Sequence, residues 1–506
     1  VNARARVWRG RRAVAAGAVA TVLAVAGPLA VPAAAAGPGP ATGRPDRHRP
    51  GDAADGARRR AADVDDRSDR RNDSGPDKGT VRRHRSAPVK GPVLAAAADA
   101  GVPTGDGMQR SLDQALHDGA LGTLAFAVAD ATTGRLLYGS GENTPATPAS
   151  TTKLATAVAA LALVPPTTRI ATTVVRSATP GTITLVGGGD PTLTALPADQ
   201  VRIGGQPVDA DTAPASLADL AARTAAALKA AGTTTVRLGY DTSLYTGPLL
   251  HPEHDATNIA AVTPLMVDEG RIDPKSPDEA PARVFDPAGQ AAAAFADRLR
   301  AEGVAVDGTP AQTTAPAGAA AIAEVRSPTV PRLVERLLTT SDNTLAEAVA
   351  RQAALAAGKP ASFEGGAAAT LQALAKLGVP TAGTVLNDGS GLSRKNLIPP
   401  ITLTELLARA AAPDHPELRP VLTGLPVAGF TGTLVNRFGA RSGAAGAAGI
   451  VRAKTGTLSG VVTLAGTVVD ADGRVLVFAL MSRTTGGDAR AAVDRIVAAI
   501  AACGCR

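Results

Sequence analysis

Ser150 and Lys153 stand three residues apart in Pro148-Ala-Ser-Thr-Thr-Lys-Leu154. On a helix, residues i and i+3 share a face, so this hydroxyl and this amine can come within hydrogen-bond reach. A serine at a helix N-terminus also has unpaired backbone N–H groups beside it. The chemistry on offer is a nucleophile with its own base. Two more short motifs follow: Ser341-Asp342-Asn343, which leads into the helix-forming Thr344-Leu-Ala-Glu-Ala-Val-Ala350, and Lys454-Thr455-Gly456-Thr457 at the end of a predicted strand. Each has a plainer reading alone. The first can be an N-cap serine beside a surface lysine, the second a helix cap, the third a turn, although a glycine in a strand also marks close approach of another backbone or a ligand.

A Ser-x-x-Lys, a Ser-Asp-Asn and a Lys-Thr-Gly in that order form the signature of penicillin-binding proteins and class A β-lactamases. The chain resembles the D-alanyl-D-alanine carboxypeptidase/endopeptidases of the low-molecular-mass class C penicillin-binding proteins over about residues 110–500. The stretches that carry the resemblance are Pro148–Leu154, Gly187-Gly-Gly-Asp-Pro-Thr-Leu193, Asp388-Gly-Ser-Gly-Leu-Ser-Arg394, Gly432-Thr-Leu434 with Arg437-Phe438, and Ala453-Lys-Thr-Gly-Thr-Leu458. The long insertion between the first two motifs is also this family's habit.

The resemblance implies that Ser150 attacks the carbonyl of the penultimate D-alanine, with Lys153 taking its proton. A free lysine is a poor base at pH 7, so that role calls for Lys153 to be buried and close to Lys454, desolvation and like charge acting together. Ser341 would relay a proton to the leaving amine and Asn343 would hold the substrate amide. The N–H groups of Ser150 and Thr457 would form the oxyanion hole. Lys454, Thr455, Gly456 and Thr457 would receive the terminal carboxylate. Asp241 and Arg394 would recognise the amine and carboxylate of the stem-peptide side chain, though Asp241 can also begin a turn and Arg394 can be a surface side chain. The implied partners are peptidoglycan stem peptides, with β-lactams as covalent inhibitors, and no step calls for a metal or cofactor.

Other enzyme readings find less support. The chain has no Gly-x-Ser-x-Gly elbow and no His-Glu-x-x-His. His251-Pro-Glu-His254 offers two histidines in a loop-like stretch without a third ligand in view. Gly187-Gly-Gly-Asp190 lacks the Gly-Lys-Ser/Thr ending of a phosphate loop and reads as a tight turn. Two competitors remain: a β-lactamase, against which stands the lack of a Glu-x-x-Leu-Asn-like segment between Asn343 and Lys454, and a non-catalytic envelope protein of the same fold.

The elements that must position these residues are legible in part. Thr123–Ala129 and Arg135–Tyr138 read as a hairpin around Asp130-Ala-Thr-Thr-Gly134. Thr151–Val164 reads as an alanine-rich helix stopped by Pro165-Pro166. Near the far end, Ile450–Thr455, Val461–Val469 and Val475–Ser482 read as strands, followed by a helix from about Asp488 to Ala502. Strands from both ends with helices between them predict an α+β fold with one central antiparallel sheet flanked by helices. Residues 167–325 read as a large inserted α/β region with its own layers: strands Ile183–Val186 and Thr233–Leu238, helices Leu217–Ala231 and Gln290–Gly303. It divides the peptidase domain into 93–166 and 326–506.

Composition narrows the field further. At 506 residues there is ample chain to bury a core. Aromatics make up only 2%, which leaves little stacking surface for single-stranded nucleic acid. The formal charge of +7 is misleading: residues 1–90 carry 19 Lys/Arg against 9 Asp, while residues 91–506 carry 33 Lys/Arg against 36 Asp/Glu. The basic balance therefore belongs to a tail, and no nucleic-acid partner is expected. Residues 1–36 have an arginine-rich start, an apolar run from Ala13 to Val31 and Ala34-Ala35-Ala36 as a cleavage site, which reads as an export leader. Membrane contact would come only through that leader if uncleaved. Residues 37–92, rich in Arg, Asp, Gly and Pro, read as a disordered linker. Cys503 and Cys505 are too few for a disulfide framework.

Overall fold

The computed structural model describes residues 101–505 apart from 204, 279 and 485; the expected leader and linker lie outside them. The chain first forms α1 (Gly105–Leu116), β1 (Thr123–Asp130), β2 (Leu136–Ser140) and α2 (Thr152–Leu163). It continues through β3 (Arg169–Arg176), β4 (Thr182–Val186), the short pair β5 (Arg202–Ile203) and β6 (Gln206–Pro207), and α3 (Leu217–Ala230). Then come β7 (Thr235–Asp241), α4 (Pro287–Ala301), β8 (Ala305–Gln312) and β9 (Ala321–Thr329). Five helices follow: α5 (Val330–Thr340), α6 (Asn343–Ala356), α7 (Phe363–Lys376), α8 (Pro400–Ala411) and α9 (Arg419–Thr423). The last elements are β10 (Val451–Leu458), β11 (Val461–Val469), β12 (Val475–Arg483) and α10 (Ala489–Ala501).

One five-stranded sheet runs β10-β11-β12-β1-β2, antiparallel throughout. The central pairing, β1 on β12, joins segments from opposite ends of the chain. Side chains alternate between faces. Phe126, Val128, Leu476, Phe478 and Leu480 point into a layer shared with Met108 and Leu112 of α1 and Val493, Ile496 and Val497 of α10. Ala129, Ala465, Val477, Ala479 and Met481 face the other way, onto Leu154 and Val158 of α2 and Leu403, Leu406 and Leu407 of α8. Alanines on that face leave room for α2 and α8, while each fully buried Leu or Phe contributes about 1.5–3 kcal/mol.

The second sheet, β8-β7-β4-β3-β9, is mixed. β4, β7 and β8 are parallel neighbours, connected through α3 and α4 as a β-α-β-α-β run. Leu220, Leu228, Phe295 and Leu299 from these helices bury Val174, Leu185, Val236 and Val325. Cys503 and Cys505 are bonded to each other across Gly504, with Cys503 Sγ packed on Met108 of α1. No helix among the described residues is long and apolar enough to cross a membrane.

Candidate active site

Ser150 sits in a single tight turn, Ala149–Thr151, that leads into α2. Three donors converge on the carbonyl of Pro148: Thr151 N at 3.2 Å, Thr151 Oγ1 at 2.6 Å and Thr463 Oγ1 of β11 at 2.8 Å. Ala149 has φ of 48°, a left-handed conformation that costs a non-glycine residue about 1–3 kcal/mol. Two glycines allow the surroundings to close on this turn. A Cβ on Gly456 of β10 would overlap Thr463 Oγ1 and lie 3.0 Å from Ser150 N; one on Gly391 would overlap Ala149 O. Gly456 is therefore a strand residue at a close backbone approach. Paired with Thr463, Val462 and Val461 of β11, β10 runs on through it to Leu458 instead of ending at Thr455 as the sequence reading expects.

Both lysines are fully buried. Lys153 Nζ donates to Ser150 Oγ at 2.9 Å, Asn343 Oδ1 at 2.6 Å and the Ser390 carbonyl at 2.7 Å. Lys454 Nζ donates to Ser341 Oγ at 2.7 Å and the Thr455 carbonyl at 2.8 Å. Ser341, at φ 60°, is the left-handed C-cap of α5, and Asp342 is the N-cap of α6, accepting from Leu345 N at 3.0 Å. The tripeptide thus joins two helices while its outer residues each hold one lysine. Asn343 also donates Nδ2 to Asn258 O at 2.8 Å, which fixes its amide orientation.

β10 is a sheet edge, and its outward-facing amides can be assigned. Val451 O accepts from Ala428 N, and Ala453 N donates to Pro426 O, both away from β11. The two-residue repeat then turns the N–H groups of Thr455 and Thr457 outward as well. Thr457 is exposed, and Thr455 hydrogen-bonds Thr433 through its hydroxyl at 2.8 Å.

Behind the motifs lies a set of buried ion pairs. Asp342 meets Arg283 at 2.7 Å and Arg271 at 3.3 Å; Glu269 meets Arg271 at 2.8 Å and Arg336 at 2.7 Å. Burial opposes the charge on Asp342, but Arg283 and Arg271 outweigh it and hold the carboxyl well below the usual range. Asp190, in the Gly-Gly-Gly-Asp stretch, shows the reverse balance: burial pushes it up to about 6 despite hydrogen bonds from Thr192.

His251 Nδ1 accepts from Glu253 N at 3.0 Å, so the neutral ring carries its proton on Nε2 and donates to Asp388 Oδ2 at 2.9 Å. Asp388 also accepts from Gly391 N, Ser393 N and Asn396 Nδ2. His251, Glu347 and Asp388 lie close enough to suggest a metal trio. However, both ring nitrogens and both Asp388 oxygens are committed to these hydrogen bonds, so they read as scaffolding for the 388–396 loop.

The two side-chain recognition candidates part company. Arg394 is exposed and donates to Ser459 O at 3.0 Å, at the turn after β10. Asp241 is buried at the end of β7, where its oxygens accept Ser243 N and Ala315 N, each at 2.7 Å. Among the described residues no contact joins it to Arg394 or to the serine–lysine centre. Each oxygen of Asp241 accepts one backbone amide, the pattern of a residue that also organises a turn. Sequence reading also missed Glu347, Ser390 and Thr463. A polar stripe at i, i+4 and i+8 in an alanine-rich helix, Asn343, Glu347 and Arg351, was the available signal for the first.

A helix-flanked antiparallel sheet bearing a helix-start serine within reach of a buried lysine is the architecture of active-site-serine penicillin-binding proteins. The chain belongs to the D-Ala-D-Ala carboxypeptidase 3 (S13) family, whose model matches residues 108–281 and 275–502. It is 37% identical over 422 residues to carboxypeptidase DacB of Mycolicibacterium smegmatis, covering 82% of this chain and 88% of that protein. It is 34% identical over 250 residues to the D-alanyl-D-alanine carboxypeptidase of Actinomadura sp., covering 48% and 44%. In fold it is similar to penicillin-binding protein 4 of Haemophilus influenzae, with a TM-score of 0.58 at 22% identity over 78% of this chain and 98% of that one.

Proposed function

We infer that this protein is a serine-type D-Ala-D-Ala carboxypeptidase that trims peptidoglycan stem peptides through an acyl-enzyme. The observation that carries the reading is the 2.9 Å contact between Lys153 Nζ and Ser150 Oγ, with both groups at a clamped helix start. In acylation, Lys153 takes the Ser150 proton, Oγ bonds to the penultimate D-alanine carbonyl carbon, and the C–N bond to the terminal D-alanine breaks. The leaving nitrogen takes a proton from Ser341, which Lys454 replenishes. Water then gives one proton through Ser341 to Lys454 as its oxygen adds to the ester carbonyl, and Lys153 returns its proton to Ser150 Oγ as that oxygen departs, which restores both lysines.

The negative oxygen formed in each step is received by the N–H groups of Ser150 and Thr457. That pairing is supported by the outward amides of β10 and the close approach of Gly456 to Ser150. Losing one such donor typically costs about 10²–10³ in rate. Asn343 orients the substrate amide, and Lys454 with the hydroxyls of Thr455 and Thr457 meets the terminal carboxylate. Arg394, exposed and close to Ser459 at the turn after β10, would meet a carboxylate farther along the stem peptide.

The same acyl step on a penultimate D-amino-acid bond in a cross-link would be endopeptidase action. Work on peptidoglycan requires export, which the leader-like residues 1–36 would supply. The test is release of D-alanine from a diacylated Lys-D-Ala-D-Ala peptide: steady turnover is expected for the wild type and none for Ser150→Ala. Hydrolysis of benzylpenicillin faster than of the peptide would favour the β-lactamase reading.

A further inference from the structure

Glu347 lies one helical turn beyond Asn343 on α6, so the two share a face. Asn343 reaches Lys153 directly. Glu347 reaches it through one intervening group: its Oε1 accepts Gly389 N at 3.0 Å and Ser390 N at 2.7 Å, and the carbonyl of that same Ser390 accepts a hydrogen bond from Lys153 Nζ at 2.7 Å. The side chain is fully buried. Gly389 cannot bear a Cβ without meeting Ala350 of α6 at 2.6 Å, and its carbonyl accepts from Thr156 of α2 at 2.7 Å. Two consecutive peptide groups are thereby pinned between α6 and α2, with their N–H groups on one carboxylate oxygen.

We propose that Glu347 is the positioning residue for the general base: by gathering the Gly389 and Ser390 amides it aims the Ser390 carbonyl at Lys153 and fixes the amine on Ser150. This rests on the carboxypeptidase reading above. Arg351, a further turn along α6, stands 3.5 Å from Glu347 Oε2 and is itself held over the rings of Phe363 at 4.2 Å and Tyr245 at 5.3 Å. The carboxylate is thus held by the loop amides at Oε1, while Oε2 makes no hydrogen bond and lies beside the Arg351 guanidinium. Asp388 supports the remainder of the loop, and His251 anchors Asp388. Titratable and charged groups that face Glu347 are therefore Arg351 from its own helix, Asp388 from the loop, His251 from the segment before α4, and Lys153 from α2 through Ser390; Tyr245 and Glu364 lie next to Arg351. Burial, then Asp388, raise the carboxyl of Glu347 against the pull of Arg351.

A merely structural glutamate would lower the folded fraction and leave the chemistry of the remaining molecules intact. A positioning residue would slow acylation without weakening binding. Glu347→Gln keeps the shape but sets an amide N–H₂ against either Arg351 or the two loop amides. Glu347→Leu combined with Arg351→Met removes both charges together, so that neither is stranded in the interior. Full-length wild type and both variants are mixed with benzylpenicillin in stopped flow, and the noncovalent dissociation constant, acylation rate constant and pH profile are recorded per folded molecule. In both variants acylation should slow by about 10–100-fold, the scale of misplacing a reacting group by about 1 Å. The dissociation constant should stay within about threefold and the acid limb of the profile should move.

If Glu347→Gln does not fold, the double variant decides alone. Wild-type acylation rates and pH profiles in the folded variants, or equal losses in binding and rate, overturn the proposal. Failure of wild type itself to acylate overturns the carboxypeptidase reading, and the proposal with it.

Discussion

Ser341, Asp342 and Asn343 are consecutive, yet they belong to two different regions of buried charge. On the front, Ser341 and Asn343 offer neutral oxygens to Lys454 and Lys153, whose other described hydrogen bonds also end on a hydroxyl or carbonyls. On the back, Asp342 is locked to Arg283 and Arg271, and Glu269 extends the lattice to Arg336. A hydroxyl can accept from an ammonium or donate to an amine, so the front tolerates a proton being given and taken. An arginine–carboxylate pair does not exchange protons near neutrality; it holds shape. Rate should therefore be lost at the front with little loss of stability, and stability should be lost at the back with rate following only as the site distorts.

The largest expected effect is at the front. Lys153→Ala should lower the acylation rate by about 10²–10⁴, the usual span for a general base, while the melting temperature changes little. Stopped-flow acylation beside calorimetry checks this; a wild-type rate would remove Lys153 from the base role. At the back, Arg283→Ala strands the buried Asp342 charge and should cost about 3–5 kcal/mol. The sign with pH follows from the depressed carboxyl. Its contribution is present above the unfolded value near 3.9 and fades as pH falls. The gap between wild type and Arg283→Ala should therefore be full at pH 7 and narrow below pH 4.

Asp190 sharpens the contrast, since nothing outweighs its burial and its Oδ2 has no hydrogen-bond partner. With a folded value of about 6 above the unfolded one, it costs nothing at pH 4 and its penalty grows as pH rises toward 6 and then levels. Asp190→Asn should gain about 2–3 kcal/mol relative to wild type between pH 4 and pH 7.5. Denaturant titrations at both pH values would show it, and a gap independent of pH would contradict it.

The smallest effect concerns Arg394. Arg394→Ala should reduce efficiency only several-fold, on peptides whose side chain ends in a carboxylate, with penicillin acylation unchanged. By contrast, Asp241→Ala should lower the melting temperature on its own, because two backbone amides lose their acceptor. Equal effects of the two substitutions on side-chain-bearing peptides alone would restore them as a pair.

Much of the front was legible in sequence because it is local. The Ser150–Lys153 spacing, the hairpin of β1 and β2, and the strands β11 and β12 depend on residues a few positions apart. The C-terminal Lys-Thr-Gly was recognisable, but not that Gly456 would remain in the strand, which its pairing with Thr463 of β11 explains. β3 and β9 went unread because Arg169–Arg176 and Ala321–Thr329 are modest strands that acquire their meaning by pairing with each other across some 150 residues of chain. The back was not legible at all. Arg283 and Glu269 look like solvated charges until the fold buries them, and Arg271 until it pairs with Asp342 and Glu269.

The central claim is that Ser150 is a nucleophile made competent by Lys153. Intact-mass measurement after benzylpenicillin treatment, followed by peptide mapping, addresses it most directly. One stoichiometric, slowly lost adduct is expected on the peptide that contains Ser150, and none on Ser150→Ala. No adduct, an adduct on another residue, or release within seconds would contradict the account.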